Sequence, residues 1–133
     1  MPEKVLPRVL ESISFLDEKT IEVRYKPAVN VTLDDMREIL NHVYAFTQNK
    51  RLKRLIVISK DAQMELPARL FLQQENKDRQ NTIIAEAVLV TSLTQKMTTN
   101  FYLKFIKDSY PSKFFTDYNK AKEWLDAQTA TDY

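Results

Sequence analysis

Two short stretches near the start of the chain alternate between apolar and polar positions. In Arg8–Phe15, Val9, Ile13 and Phe15 are interleaved with Glu11, Ser12 and Ser14, and Thr20–Tyr25 sets Ile21, Val23 and Tyr25 on one side. Period-two spacing on either side of the polar turn Asp17–Lys19 predicts a β-hairpin, with Pro27 ending the second strand because it offers no ladder donor. The period then changes. Met36, Ile39, Leu40, Val43 and Tyr44 recur at i, i+3, i+4, i+7 and i+8, which makes one apolar stripe on a helix of about four turns. Thr32 and Asp35 stand where a capping hydroxyl and a first-turn acid belong, and the cations of Asn49–Arg51 suit the helix end.

The continuous apolar run Leu55–Ser59 has the length and character of a strand covered on both faces. Glu65–Asn81 predicts a helix with Pro67 in its first turn. Only Leu66–Leu72 is apolar, so the second half is expected to project into solvent or fray. Ala87–Ser92 is a second buried-strand run, and Leu93–Asp108 stacks Leu93, Met97, Phe101 and Phe105 at helical spacing. Ser112–Phe115 gives a short strand, Thr116 or Asp117 a cap, Tyr118–Ala127 a last helix, and the final residues a frayed tail.

The resulting order, β-β-α-β-α-β-α-β-α, implies βαβ crossovers. The expected fold is therefore α/β: one domain over residues 1–133, with a core of about 8–127 and a mixed, mostly parallel sheet of about five strands. The N-terminal hairpin lies at or near an edge, and four helices pack on the sheet. The length of 133 residues suits one core.

Composition narrows the function. With 20 basic against 18 acidic residues, the chain lacks the concentrated excess that marks nucleic-acid binding. Cysteine is absent, which excludes thiol chemistry and fits a reducing cytoplasm. The opening carries acids and two prolines where a secretory signal needs an apolar core, and no run is long enough to span a bilayer. Glycine is also absent, although average usage would give about nine. Phosphate-cradling loops need glycine backbone, so neither nucleotides held in that way nor any other cofactor is expected.

The C-terminal third carries a resemblance. Asn100, Phe101 and Tyr102, then Tyr110 and Pro111, Phe115 and Thr116, and finally Trp124 and Leu125 resemble the ending of a bacterial STAS-like family, similar to the anti-sigma-factor antagonists. The resemblance covers roughly residues 85–126, and the first half agrees only in element order. It implies a cytoplasmic regulatory or scaffold role through protein–protein interaction. One departure is clear. The phospho-regulated antagonists have an Asp-Ser-x-Gly loop after the first buried strand, where this chain has Ile58–Met64. Ser59 and Asp61 are there in the wrong order and without glycine, so the phospho-switch does not carry over.

No arrangement of side chains points to catalysis. His42 reads as a surface helical histidine with no cysteine or nucleophile-elbow serine to serve. Asp34, Asp35 and Glu38 complement a helix dipole. Glu86 is placed at a strand start near the sheet rim, because a carboxylate inside a buried strand is costly. The expectation is a non-enzyme without a metal site. The alternative is a small-molecule or lipid carrier with residues 65–81 as a mobile lid.

Phe101, Tyr102, Phe105, Tyr110, Phe114, Phe115 and Trp124 form an aromatic group. Most of it falls on core stripes, with Tyr102 and Tyr110 left over. Thr98, Tyr102, Leu103 and Tyr110 make the candidate interaction surface. Leu103 lies opposite Phe101 and Phe105 on the helical wheel, and a two-fold homodimer through this face is the expected self-association. The other arrangement is a monomer with Leu103 under the polar helix Glu65–Asn81.

Overall fold

A computed structural model of the protein describes residues 5–91 and 110–128. Its centre is a five-stranded sheet in the order β1-β2-β4-β6-β7, built from β1 (Leu10–Asp17), β2 (Thr20–Tyr25), β4 (Leu52–Val57), β6 (Ile83–Leu89) and β7 (Ser112–Phe115). β1 runs antiparallel to β2, with Ile13 opposite Val23 and Phe15 opposite Ile21. The other three pairings are parallel. This is the mixed α/β sheet that the alternation of periods predicts. The short β3 (Asn30–Val31) and β5 (Gln63–Met64) pair with each other in a separate parallel bridge, which nothing in the patterning announced.

Helix α1 (Leu33–Thr47) begins in a capping box. The Asp35 N–H donates to Thr32 Oγ1 at 3.2 Å, and the Thr32 N–H donates to Asp35 Oδ2 at 2.9 Å, so two otherwise orphaned donors are satisfied reciprocally. Its apolar stripe of Met36, Ile39, Leu40 and Val43 is buried. The helix stops differently from the expectation. No cation lies in its last turn; Gln48 and Asn49 both take left-handed backbone, with φ of 54° and 56°. Ala28 and Asp61 do the same. A chain without glycine fills its left-handed positions with side chains that pay a steric penalty there.

Two cores flank the sheet. On one face, α1 and α2 (Leu66–Asp78) cover Ile21, Val23, Tyr25, Leu52, Ile56 and Val88. On the other, α3 (Tyr118–Asp126) lays Ala121 and Leu125 over Leu55, Val57, Ala85 and Ala87. Asp117 caps α3 by accepting from the Lys120 N–H at 3.0 Å. Phe114 packs to the first core and Phe115 to the second, where its ring lies 5.7 Å from that of Trp124. The aromatic ending therefore closes the fold. The helix expected at Leu93–Asp108 lies outside the described residues.

Three expectations are corrected. β4 starts at Leu52, not Leu55, and β6 runs Ile83–Leu89 instead of beginning at Ala87. Both strands take a charged residue into the sheet that the sequence reading left outside it. The second half of α2 neither frays nor projects freely; it is docked through polar side chains.

Candidate functional site

The two central parallel strands each turn one charged side chain toward the face that α1 and α2 cover. Arg54 on β4 and Glu86 on β6 are register partners, and Arg54 Nη2 lies 2.8 Å from Glu86 Oε2. Glu86 is 1% exposed. This corrects its placement at the sheet rim: it sits mid-strand, and its charge is tolerated because a guanidinium enters from the neighbouring strand at the same level. Arg54 reaches further, donating from Nη2 to Asn76 Oδ1 of α2 at 2.9 Å. Asn76 is itself buried. The polar half of α2 thus docks on the sheet through an amide and a guanidinium where apolar contacts would ordinarily serve.

Two more ties hold α2. Tyr44 of α1 donates its hydroxyl to Glu75 at 2.8 Å, and the Arg79 guanidinium lies 3.7 Å from the centre of the Tyr44 ring. Burial first, then the hydrogen bond to Glu75, pushes the Tyr44 hydroxyl above the ordinary tyrosine range. Tyr25 of β2 borders the same interior; burial and the Glu86 carboxylate raise it likewise, with Arg54 opposing. The space enclosed there among Tyr25, Ile39, Leu40, Arg54, Leu72 and Glu86 is about 30 Å³, the scale of a water molecule.

The loop after β4 leads into this cluster. Ser59 Oγ donates to the Tyr25 carbonyl at 2.6 Å, so its hydroxyl serves to fix the loop on β2. Asp61 is exposed and holds φ of 62°, the left-handed geometry that glycine adopts at no steric cost. From this loop the chain passes through β5 into α2. The first turns of α2 expose Leu66 and Leu70, at 51% and 52%. They stand one turn apart and so share a face.

Other sequence candidates fall into structural roles. Asp35 closes the α1 cap and receives Arg8 Nη2 at 2.7 Å. Asp34 is exposed, 3.7 Å from Arg37, and His42 is half-buried on α1. Tyr110 is buried at 6% exposed. It is therefore not displayed for a partner as the interaction-surface reading required. Thr98, Tyr102 and Leu103 lie outside the described residues. Among the described residues no group of three or more His, Asp or Glu side chains is placed to hold a metal ion, and no helix is long and apolar enough to cross a membrane.

Sequence reasoning missed Arg54 and Asn76 and misplaced Glu86. A signal was available: Arg54 precedes Leu55–Val57 and Glu86 precedes Ala87–Leu89, opposite charges at the same offset in two strands that must lie parallel.

Comparison with known proteins fits this architecture. The chain aligns with the crystal structure of an uncharacterized protein of the DUF3478 family, with a SpoIIAA-like fold, from Shewanella loihica PV-4. The TM-score is 0.65 at 16% identity, covering 94% of this chain and 98% of that one. The fold is thus SpoIIAA-like, in line with the STAS-like resemblance of the C-terminal third. Comparison with curated proteins yields no match. Residues 14–129 match the family described as "Domain of unknown function (DUF7793)", and as that match spans most of the sequence, the chain belongs to this family.

Proposed function

We propose that the protein is a non-enzymatic regulatory or scaffold module that binds another protein through the outer face of α2 and the loop before it. The observation that carries this reading is the two-sidedness of α2. Its inner side is held by Arg54–Asn76 and Tyr44–Glu75, while its outer side presents Leu66 and Leu70 to solvent. A helix fixed from below and apolar above offers a partner a preformed ridge, with little ordering cost on binding. The carrier alternative is less favoured. An interior of about 30 Å³ beneath α2 admits a lipid only if the helix lifts, and lifting breaks each of those polar ties.

The test is affinity capture from the source cells with the wild type and with Leu66→Asp/Leu70→Asp, accompanied by circular dichroism. The reading expects a protein recovered by the wild type and lost from a variant whose dichroism is unchanged. Identical recoveries, or a lipid found by native mass spectrometry in place of a protein, would overturn it.

A further inference from the structure

At the end of the sheet where β2 and β4 begin, an open depression of about 760 Å³ lies between the hairpin turn and the loop that follows α1. Its volume is that of a small-molecule site. Both of its walls are fixed. The Lys53 N–H donates to the Lys19 carbonyl at 2.7 Å, which ties the turn to β4. The left-handed backbone of Gln48 and Asn49 brings the chain round from α1 to Lys50 and Arg51. The apolar part of the lining is Leu52 and the ring of Phe15. Phe15 is 44% exposed and stacks on Phe46 at 5.0 Å, with 21° between the ring planes. Phe46 is not part of the lining, so the Phe15 ring is supported from one side and open toward the depression. Such a ring is a stacking platform.

The charges beside this ring are uneven. Lys19, Lys50 and Arg51 line the depression with Asp17 and Glu18. Asp17 is already answered: its Oδ1 accepts the Lys19 N–H at 2.8 Å, and Lys53 and Lys122 act on its carboxylate. That sets Lys19, Lys50 and Arg51 against Glu18 alone. Among the described residues neither Lys19 nor Lys50 enters an ion pair. The end of α1 does not account for the Lys50 ammonium either. There the N–H groups of Asn49 and Lys50 close on the carbonyls of Tyr44 and Thr47, at 3.3 and 3.1 Å.

We propose that this depression binds a small planar aromatic anion, whose ring stacks on Phe15 while its phosphate or carboxylate meets Lys19, Lys50 and Arg51. The excess of cations selects an anion. The aromatic platform beside them selects a ringed anion over an aliphatic acid or bare phosphate. The site shares no residue with the Leu66 and Leu70 ridge of α2, which follows the opposite end of β4. It therefore stands whether or not that ridge holds a protein.

Nuclear magnetic resonance titration of the isotope-labelled full chain tests this with AMP and benzoate as aromatic anions. Adenosine and benzamide keep the ring without the charge, and inorganic phosphate and acetate keep the charge without the ring. AMP, benzoate or both should shift the amides of Phe15, Lys19 and Lys50 saturably, with a Kd below about 1 mM. A response to AMP alone identifies a phosphate ester, and one to benzoate alone a carboxylate. The matched controls should each bind at least about 5-fold more weakly. Lys19→Gln/Lys50→Gln and Phe15→Ala should each weaken the anion about 5-fold as well. Both lysines are exposed, so the double variant is expected to fold even if circular dichroism shows that Phe15→Ala does not. No response to either anion, shifts confined to other residues, controls bound as tightly as the anions, or an affinity indifferent to the lysine substitutions would each overturn the proposal.

Discussion

Arg54 and Glu86 face each other across the two central strands at 2.8 Å, with side chains 12% and 1% exposed. Such a pair sits where a hydrophobic sheet would ordinarily place valine or isoleucine, so its energetic meaning depends on whether both partners are present. Arg54→Met leaves a carboxylate buried without its counter-charge and is expected to destabilise the fold by about 3–5 kcal/mol in urea unfolding. Arg54→Met/Glu86→Leu removes both charges and should recover most of that loss. A double variant as unstable as the single one would show that the pair is not the source.

Asn76 gives a local counterpart. Asn76→Ala removes the acceptor that Arg54 Nη2 reaches on α2 and should cost about 1–3 kcal/mol. Hydrogen exchange should show the loss concentrated in α2, whose only buried residues are Ala68 and Asn76, with the protection of β4 and β6 retained. Uniform loss across the sheet would mean that α2 does not open separately.

Replacing side chains at left-handed positions should stabilise the protein. At Gln48 and Ala28, with φ of 54° and 58°, substitution by glycine relieves about 1–2 kcal/mol of steric cost. It returns about 0.4–1 kcal/mol through the freer unfolded chain. Each variant should gain up to about 1.5 kcal/mol, read as a rise in Tm. Asn49→Gly should gain less, since asparagine tolerates this region.

Alkaline pH should weaken the fold through Tyr118. Its hydroxyl donates to Glu22 Oε1 at 2.7 Å. Burial, then the hydrogen bond and charge of Glu22, raise its pKa from 10.0 to about 12, with Arg24 opposing. A raised pKa means that folding favours the protonated phenol. That contribution is fully present below pH 10 and is lost as pH rises toward 12. In Tyr118→Phe the fall in stability across this window should be shallower, and one late tyrosinate transition should vanish from the ultraviolet titration. An unchanged pH profile would show that Tyr118 ionises as it does in the unfolded chain.

The order of the helices and of the central-sheet strands in the first 91 residues could be read from periodicity because each stripe reports burial directly: Ile21, Val23 and Tyr25 on a strand, Met36, Ile39, Leu40 and Val43 on a helix. Strand starts were harder to read. A lysine, an arginine or a glutamate ahead of an apolar run looks like loop until its partner on the next strand is known, and register belongs to tertiary structure. For the same reason α2 looked frayed, since Asn76 has value only where Arg54 can reach it. Ser59 and Asp61 stand out in sequence only as residues of the loop after β4. Their chemistry was not readable, because a hydroxyl given to the Tyr25 carbonyl and a left-handed aspartate are matters of geometry.

The bridge between β3 and β5 carries a consequence for how this sequence can change over evolution. It joins the loop before α1 to the loop before α2. Three further backbone bonds run alongside it: Ala28 N–H to the Lys60 carbonyl, Gln63 N–H to that of Val29 and Glu65 N–H to that of Val31, at 2.8–2.9 Å. Asn30 Nδ2 also donates to Glu65 Oε2 at 2.8 Å. A residue gained or lost in either loop slips this register and shifts the start of both helices at once. Insertions that other surface loops absorb are therefore excluded from this pair of loops unless both change length together.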